Sequence, residues 1–262
     1  MTRVVMVHGA GNDLWGPASI KAKWFPALAD GLAWHGVEIE PADVQIAFYG
    51  DLFREDPERG YEPPVDKAAA IASIESVVKG LDPNVDLSEL TKMLTESHFD
   101  RLLAQAAAYL QKPEVRAAAR ARVEAVVGSD TRVVVAHSLG TLVAYETLCQ
   151  HPEWGVTDFV TIGCPLAGDL IHQQLDPGPT EGVGCWPGAV QTWTNIADPD
   201  DIRRFYGVRG RVIAMTTDGA AASIDEISHK YLGIPYPNFT GRPETRLLLT
   251  IAADSIASPG RD

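Results

Sequence analysis

The sequence predicts an α/β protein: a mostly parallel β-sheet with helices on both faces and a helical insert interrupting the alternation. Three observations carry this. Short apolar runs alternate with stretches of helical spacing, which implies parallel strands joined by crossover helices. The alternation stops between about residues 51 and 130, where no convincing strand occurs. No repeat of 20–50 residues and no low-complexity linker divides the 262 residues, and α/β folds of about 250 residues are often a single unit. Residues 1–262 are therefore read as one domain, with 51–130 an insert or cap within it.

In chain order, "RVVMVH" (3–8) is a buried strand, because β-branched residues dominate and a glycine turn ends it. "WFPALADGLAWHG" (24–36) is a helix closed by Gly36, and "VQIAFYG" (44–50) a second strand. The insert holds "DKAAAIASIESVVKG", "LSELTKMLTESHFDRLLAQAAAYLQ" and "PEVRAAARARVEAVVG". Pro113 suits a first helical position, and Gly80 and Gly128 suit helix ends. Strands and helices resume with "TRVVVAHS", "LGTLVAYETLCQ", "VTDFVTIG", "AVQTWTNIA" and "RVIAMTT", and "PETRLLLTIAADSIA" (243–257) reads as a terminal helix.

A net charge of -13 repels phosphates, so nucleic acid and anionic membranes are poor partners. Cys149, Cys164 and Cys185 are odd in number and lack C-x-x-C spacing, which points to reduced thiols rather than a disulfide framework or zinc site. The sequence shows no basic region followed by a long apolar run at its start, and no run of about 18 apolar residues. A cytoplasmic protein without membrane insertion is the expectation. Oligomeric state is open.

The pentapeptide "AHSLG" (136–140) lies between a predicted strand and a predicted helix. Small residues two before and two after Ser138 let strand and helix pass closely, and the tight turn holds the hydroxyl clear of the sheet. The helix N-terminus behind it favours developing negative charge. The chain thereby resembles a serine hydrolase of the α/β-hydrolase fold, of the esterase and lipase kind, with Ala136 in place of the more usual glycine. "AAAYLQKPEVR" upstream of "VVVAHSLGTLVAYE" is similar to a bacterial branch known mostly as unassigned hydrolases.

The resemblance implies a triad in the order nucleophile, acid, histidine. Of seven histidines, His229 in "DEISHKYLGIPY" follows the last predicted strand and is the expected general base. His172 precedes the acid. His8 and His137 flank the site as orienting groups, and His35, His98 and His151 fall on helix ends or surfaces. The acid should follow "VQTWTNI", where "ADPDDIRRF" offers Asp198, Asp200 and Asp201. Asp201 resembles the acid of related lipases and esterases, and Asp198, nearer the strand end, is the alternative. "VHGAG" resembles the fold's H-G loop, which makes the N–H groups of Ala10 and Leu139 the oxyanion donors.

A dinucleotide fingerprint in "HGAGND" fails, because Leu14 stands where the third glycine belongs. No Walker A or H-E-x-x-H sequence occurs, and the aspartate cluster lacks the glycine spacing of a calcium loop. No cofactor and no metal are expected. In the insert, Leu87, Leu90, Met93 and Leu94, and then Phe99, Leu102 and Leu103, recur at helical spacing. They fit a core face or a cap over an apolar acyl group equally. Leu166 and Trp186, in the glycine- and proline-rich loop 166–188, are candidate substrate-binding residues. The expected activity is hydrolysis of a small-molecule carboxylic ester through an acyl-enzyme. Thioesterase, acyltransferase, lactonase or amidase chemistry would use the same triad, and a silent hydrolase fold used for binding is the rival from another class.

Overall fold

Five of the predicted strands form one sheet: β1 (Val4–Val7), β2 (Val44–Ala47), β3 (Val133–His137), β4 (Asp158–Ile162) and β5 (Thr192–Ile196). All pair parallel, in the order β2-β1-β3-β4-β5. The structure is a computed structural model that describes residues 2–33, 36–54, 97–166, 169–181, 183–196, 214–215 and 221–222. Asp198, Asp201, His229, Gly80, the predicted helix over 66–80 and the terminal helix lie outside the described residues, as do residues 87–96 of the insert.

Period-two alternation sends successive strand residues to opposite faces, and both faces are covered. On one face Val4, Met6, Val44, Ile46, Val133, Val135, Val160 and Ile162 pack with Ile20, Trp24, Leu28 and Leu32 of α1 (Pro17–Ala33). These α1 residues recur every four positions, the stripe of an amphipathic helix. The helix starts earlier than its apolar pattern predicts, because Pro17 supplies a first turn and Pro26 is tolerated inside. Gly36 closes it as expected, at φ +73, with Gly36 N–H on Ala33 O (3.0 Å) and Val37 N–H on Leu32 O (3.1 Å). That pair of bonds is a Schellman closure.

The opposite face carries Val5, Val7, Val134, Ala136 and Phe159, packed with Tyr109 of α2 (Ser97–Gln111), Ala119 and Val123 of α3 (Pro113–Glu124), and Leu139, Leu142 and Val143 of α4 (Leu139–Gln150). Residues 97–124 of the predicted insert are thus a covering layer on the sheet, between β2 and β3 in the chain. Pro113 opens α3 as predicted. Gly128 does not end it; it closes a turn into β3, exchanging bonds with Thr131 (Gly128 N–H to Oγ1, Thr131 N–H to Gly128 O, both 3.0 Å).

Of "RVIAMTT", the described Ala214 and Met215 (β6) pair antiparallel with Ala221 and Ala222 (β7) in a separate two-stranded sheet. An apolar run announces a strand but not its partner. Among the described residues no helix is long and apolar enough to cross a membrane. The strand order changes direction between β1 and β3. In open α/β sheets the carboxyl ends of such a pair border the crevice where ligands bind.

Candidate active site

At that edge, Ser138 is the single residue between the end of β3 and the start of α4. Its φ of 50 and ψ of -123 lie where a non-glycine residue costs about 1–3 kcal/mol, so the surroundings must over-determine it. Ser138 N–H donates to Ile162 O (2.9 Å), extending the β3–β4 ladder by one bond. Its carbonyl accepts Thr141 N–H (2.9 Å) and Thr141 Oγ1–H (2.6 Å). The small neighbours are steric requirements. A Cβ on Gly140 would come within 2.6 Å of Val7 O and closer still to His8 O. A Cβ on Gly9 would sit 2.9 Å from Ser138 Cβ. The loops after β1 and β3 therefore meet backbone to side chain, with Ser138 itself half-buried.

The loop after β1 is held by its own side chains. The His8 ring is buried and stacks on Tyr49, with ring centroids 4.2 Å apart. His8 Nε2 accepts Tyr49 N–H (3.2 Å), so the proton belongs on Nδ1, which donates to Gly9 O (2.8 Å). Asn12 Nδ2 donates to the same carbonyl (3.0 Å). The Tyr49 hydroxyl donates to His8 O (2.5 Å). A trans peptide aims its C=O and N–H in opposite directions, so two donors on Gly9 O also set the direction of Ala10 N–H. The orienting role predicted for His8 has this physical form.

Burial pushes His8 down to about 4, and burial together with His8 does the same to His137. Both are neutral near pH 7, and both His8 nitrogens are already bonded, which leaves His8 no capacity as a general base. Burial pushes the nearby Cys164 thiol up to about 11, so it is protonated at neutral pH and no rival nucleophile. His172 belongs to the short helix α5 (Asp169–His172) and lies by Gly184 and Tyr145, two turns along α4 from Ser138.

Leu139, the first residue of α4, has an N–H at the positive end of a 12-residue helix. Leu166 is buried in the same apolar cluster as Leu139 and Leu142. Trp186 packs against Trp193 (centroids 5.9 Å) and donates Nε1–H to Val190 O (2.6 Å). Trp193 pairs with Phe159, and Phe159 with Val134, four residues before Ser138 along the strand direction. The described contacts of Trp186 are with the sheet face, not with Ser138. The chain leaves β5 at Ile196, on the edge that carries Ser138 and two residues before Asp198. Among the described residues no group of three or more His, Cys, Asp or Glu is arranged to hold a metal ion.

Two buried carboxylates, neither singled out in the sequence, anchor the surroundings. Asp13 accepts Gln105 Nε2–H (2.9 Å) and pairs with Arg101. Glu146, midway along α4, accepts the Tyr109 hydroxyl (2.5 Å), Arg116 Nε–H (2.9 Å) and Asp176 N–H (3.1 Å). Burial and the Glu146 charge raise the Tyr109 phenol well above its usual range, which keeps it a donor. Glu146 is the lone charged residue of α4, and that is its signal in the sequence. Asp13 carries no such signal, since an aspartate in a polar loop is unremarked until Gln105, 92 positions on, is seen against it. The chain matches no protein-family model and no curated protein.

Proposed function

We propose that the chain is a serine hydrolase that cleaves a carboxylic ester through an acyl-enzyme intermediate. The observation that carries this is Ser138: a serine in strained backbone at the strand-order reversal, with the Gly9 backbone packed against its side chain. Strain at an edge crevice is where a nucleophile is presented, and a structural serine has no need of it. Ser138 Oγ attacks the carbonyl carbon as His229 takes its proton. Asp201, or Asp198, orients the imidazole and stabilises its cation. The N–H groups of Ala10 and Leu139 receive the oxyanion. Protonated His229 gives its proton to the leaving alkoxide, and water then releases the acid by the same steps.

β5 ends at the Ser138 edge, two residues before Asp198 in sequence, and His8 and His137 are neutral buried groups, which supports Asp201 or Asp198 as the acid and His229 as the base. The test is turnover of p-nitrophenyl esters of increasing acyl length, with Ser138→Ala as reference. Hydrolysis lost in the variant is expected. No turnover above the folded variant on any ester overturns the proposal.

A further inference from the structure

Helix α2 reaches the loop after β1 through one side chain. Gly11 N–H donates to Gln105 Oε1 (2.8 Å), and Gln105 Nε2–H donates to Asp13 Oδ1 (2.9 Å). Asp13 is 1% exposed, and its other oxygen is paired with Arg101. A carboxylate in an ion pair accepts hydrogen bonds and does not donate them. Only the NH₂ end of Gln105 can therefore face Asp13, and the carbonyl end is left for Gly11. A flipped amide would set oxygen against oxygen and N–H against N–H. Leu102, three residues before Gln105 and on the same helix face, closes the space beside Gly11, where a Cβ would meet Leu102 Cδ2 at 2.6 Å. Gly11 has a φ of +80 and fits this contact as glycine.

We infer that Gln105, its amide orientation dictated by Asp13, is a positioning residue for the oxyanion donor on Ala10; the inference rests on the serine-hydrolase reading. The peptide on either side of Ala10 has its own restraint. Gly9 O is held by His8 and Asn12, which fixes the Gly9–Ala10 plane, and Gly11 N–H is held by Gln105, which fixes the Ala10–Gly11 plane. With both planes fixed, the φ and ψ of Ala10 have no freedom left. Loss of the Gln105 bond leaves the Ala10–Gly11 plane, the neighbour of the one that carries Ala10 N–H, held only by Asn12 Nδ2–H on Ala10 O at 3.4 Å. It also leaves Gly11 N–H to find another acceptor, and the loop shift this requires reaches the Gly9–Ala10 plane through the shared Ala10 Cα. Because the oxyanion exists only after attack, a misdirected donor weakens the transition state and not the bound ester. Substitution should lower kcat and leave KM alone. Removing an oxyanion donor outright typically costs about 10²–10³ in rate, so loosening one should cost about tenfold.

The test compares the full chain with Gln105→Leu, Gln105→Glu and Gln105→Glu/Asp13→Asn. Gln105→Glu keeps an acceptor for Gly11 but sets carboxylate against carboxylate. The double variant exchanges donor and acceptor: the amide introduced at position 13 donates its N–H to the carboxylate introduced at position 105. The amide oxygen at position 13 then faces Arg101, and the net charge is that of the parent. The readouts are kcat and KM on the best p-nitrophenyl ester and the second-order rate of reaction with an alkyl fluorophosphonate. In that reaction the Ser138 Oγ–P bond forms, P–F breaks, fluoride leaves and the base takes the hydroxyl proton. Both single variants should fall about tenfold in kcat and labelling rate with KM within about twofold, and the double variant should recover to within about threefold. Wild-type labelling with Gln105→Glu equal to it in kcat and labelling rate overturns the inference and leaves the hydrolase reading standing, even if Gln105→Leu fails to fold. No labelling of wild-type Ser138 overturns the hydrolase reading and the inference together.

Discussion

Asp13 and Glu146 are both buried carboxylates paired with arginine, yet they hold different things. The arginine on Asp13, Arg101, has a side chain 45% exposed, whereas Arg116 on Glu146 is 14% exposed and is joined by Tyr109 and, at 3.9 Å, Arg120. A half-solvated pair is screened and contributes little; a sealed one is costly to break. At the Glu146 end, the cluster ties α3 and α4 to Gln174 and Asp176 in the following segment. At the Asp13 end, the carboxylate sets which way a glutamine faces. One is a staple of the fold, and the other is a template for a loop that carries chemistry. Burial and charge alone do not tell them apart; the solvation of the partner and the groups beyond it do.

The severest way to break the site end is Gly140→Ala. Its Cβ must enter the space of two carbonyls, those of Val7 and His8, backbone atoms that cannot swing aside, so the chain should fail to yield soluble folded protein. Gly128→Ala, with nothing within 4 Å of its Cβ position, should leave the melting temperature within a few degrees and serves as the control.

Glu146→Leu strikes the far end. Arg116 and Tyr109 lose their shared acceptor, at a cost of about 3–5 kcal/mol. That corresponds to a melting temperature lower by roughly 10 °C for a chain this size. The folded fraction should keep its kcat, which separates the staple from the Gln105 positioning device; a kcat loss at unchanged melting temperature would erase the distinction between the two ends.

A gentler probe is acid. The His8 pKa is about 4 in the folded chain, against 6.5 for a freely solvated imidazole. Between those values the unfolded chain binds more protons than the native one, so stability rises with pH in this window. His8 contributes in full above pH 6.5 and loses its contribution as pH falls toward 4, a difference on the order of 3 kcal/mol. Thermal melts at pH 7, 5.5 and 4.5 should show this slope together with that of His137, and His8→Asn should reduce it without abolishing it. An identical slope in the variant would assign the acid sensitivity elsewhere.

Much of this architecture is legible in the residues. Near-continuous apolar runs give β1, β3 and β4, since a strand buried on both faces has no polar side to show, while β2 and β5 are interrupted by Gln45 and Asn195. Gly36, Pro113 and the small residues around Ser138 mark turns whose geometry tolerates little else. What periodicity does not carry is the identity of a partner. Leu102 reads equally as core or cap until Gly11 is seen against it. Gln105 is one amide in an alanine-rich helix, and its acceptor and donor lie more than 90 positions earlier. Ala214 and Met215 advertise a strand without saying to which sheet it belongs. Trp186, placed by loop composition near the substrate, packs on Trp193, because a large aromatic in an irregular loop serves burial as readily as binding.

The most direct measurement is reaction of the purified chain with an alkyl fluorophosphonate, followed by peptide mapping. A single adduct on Ser138, absent from Ser138→Ala, is the expected result. A folded protein that takes up no reagent, or takes it up on another residue, would contradict the account.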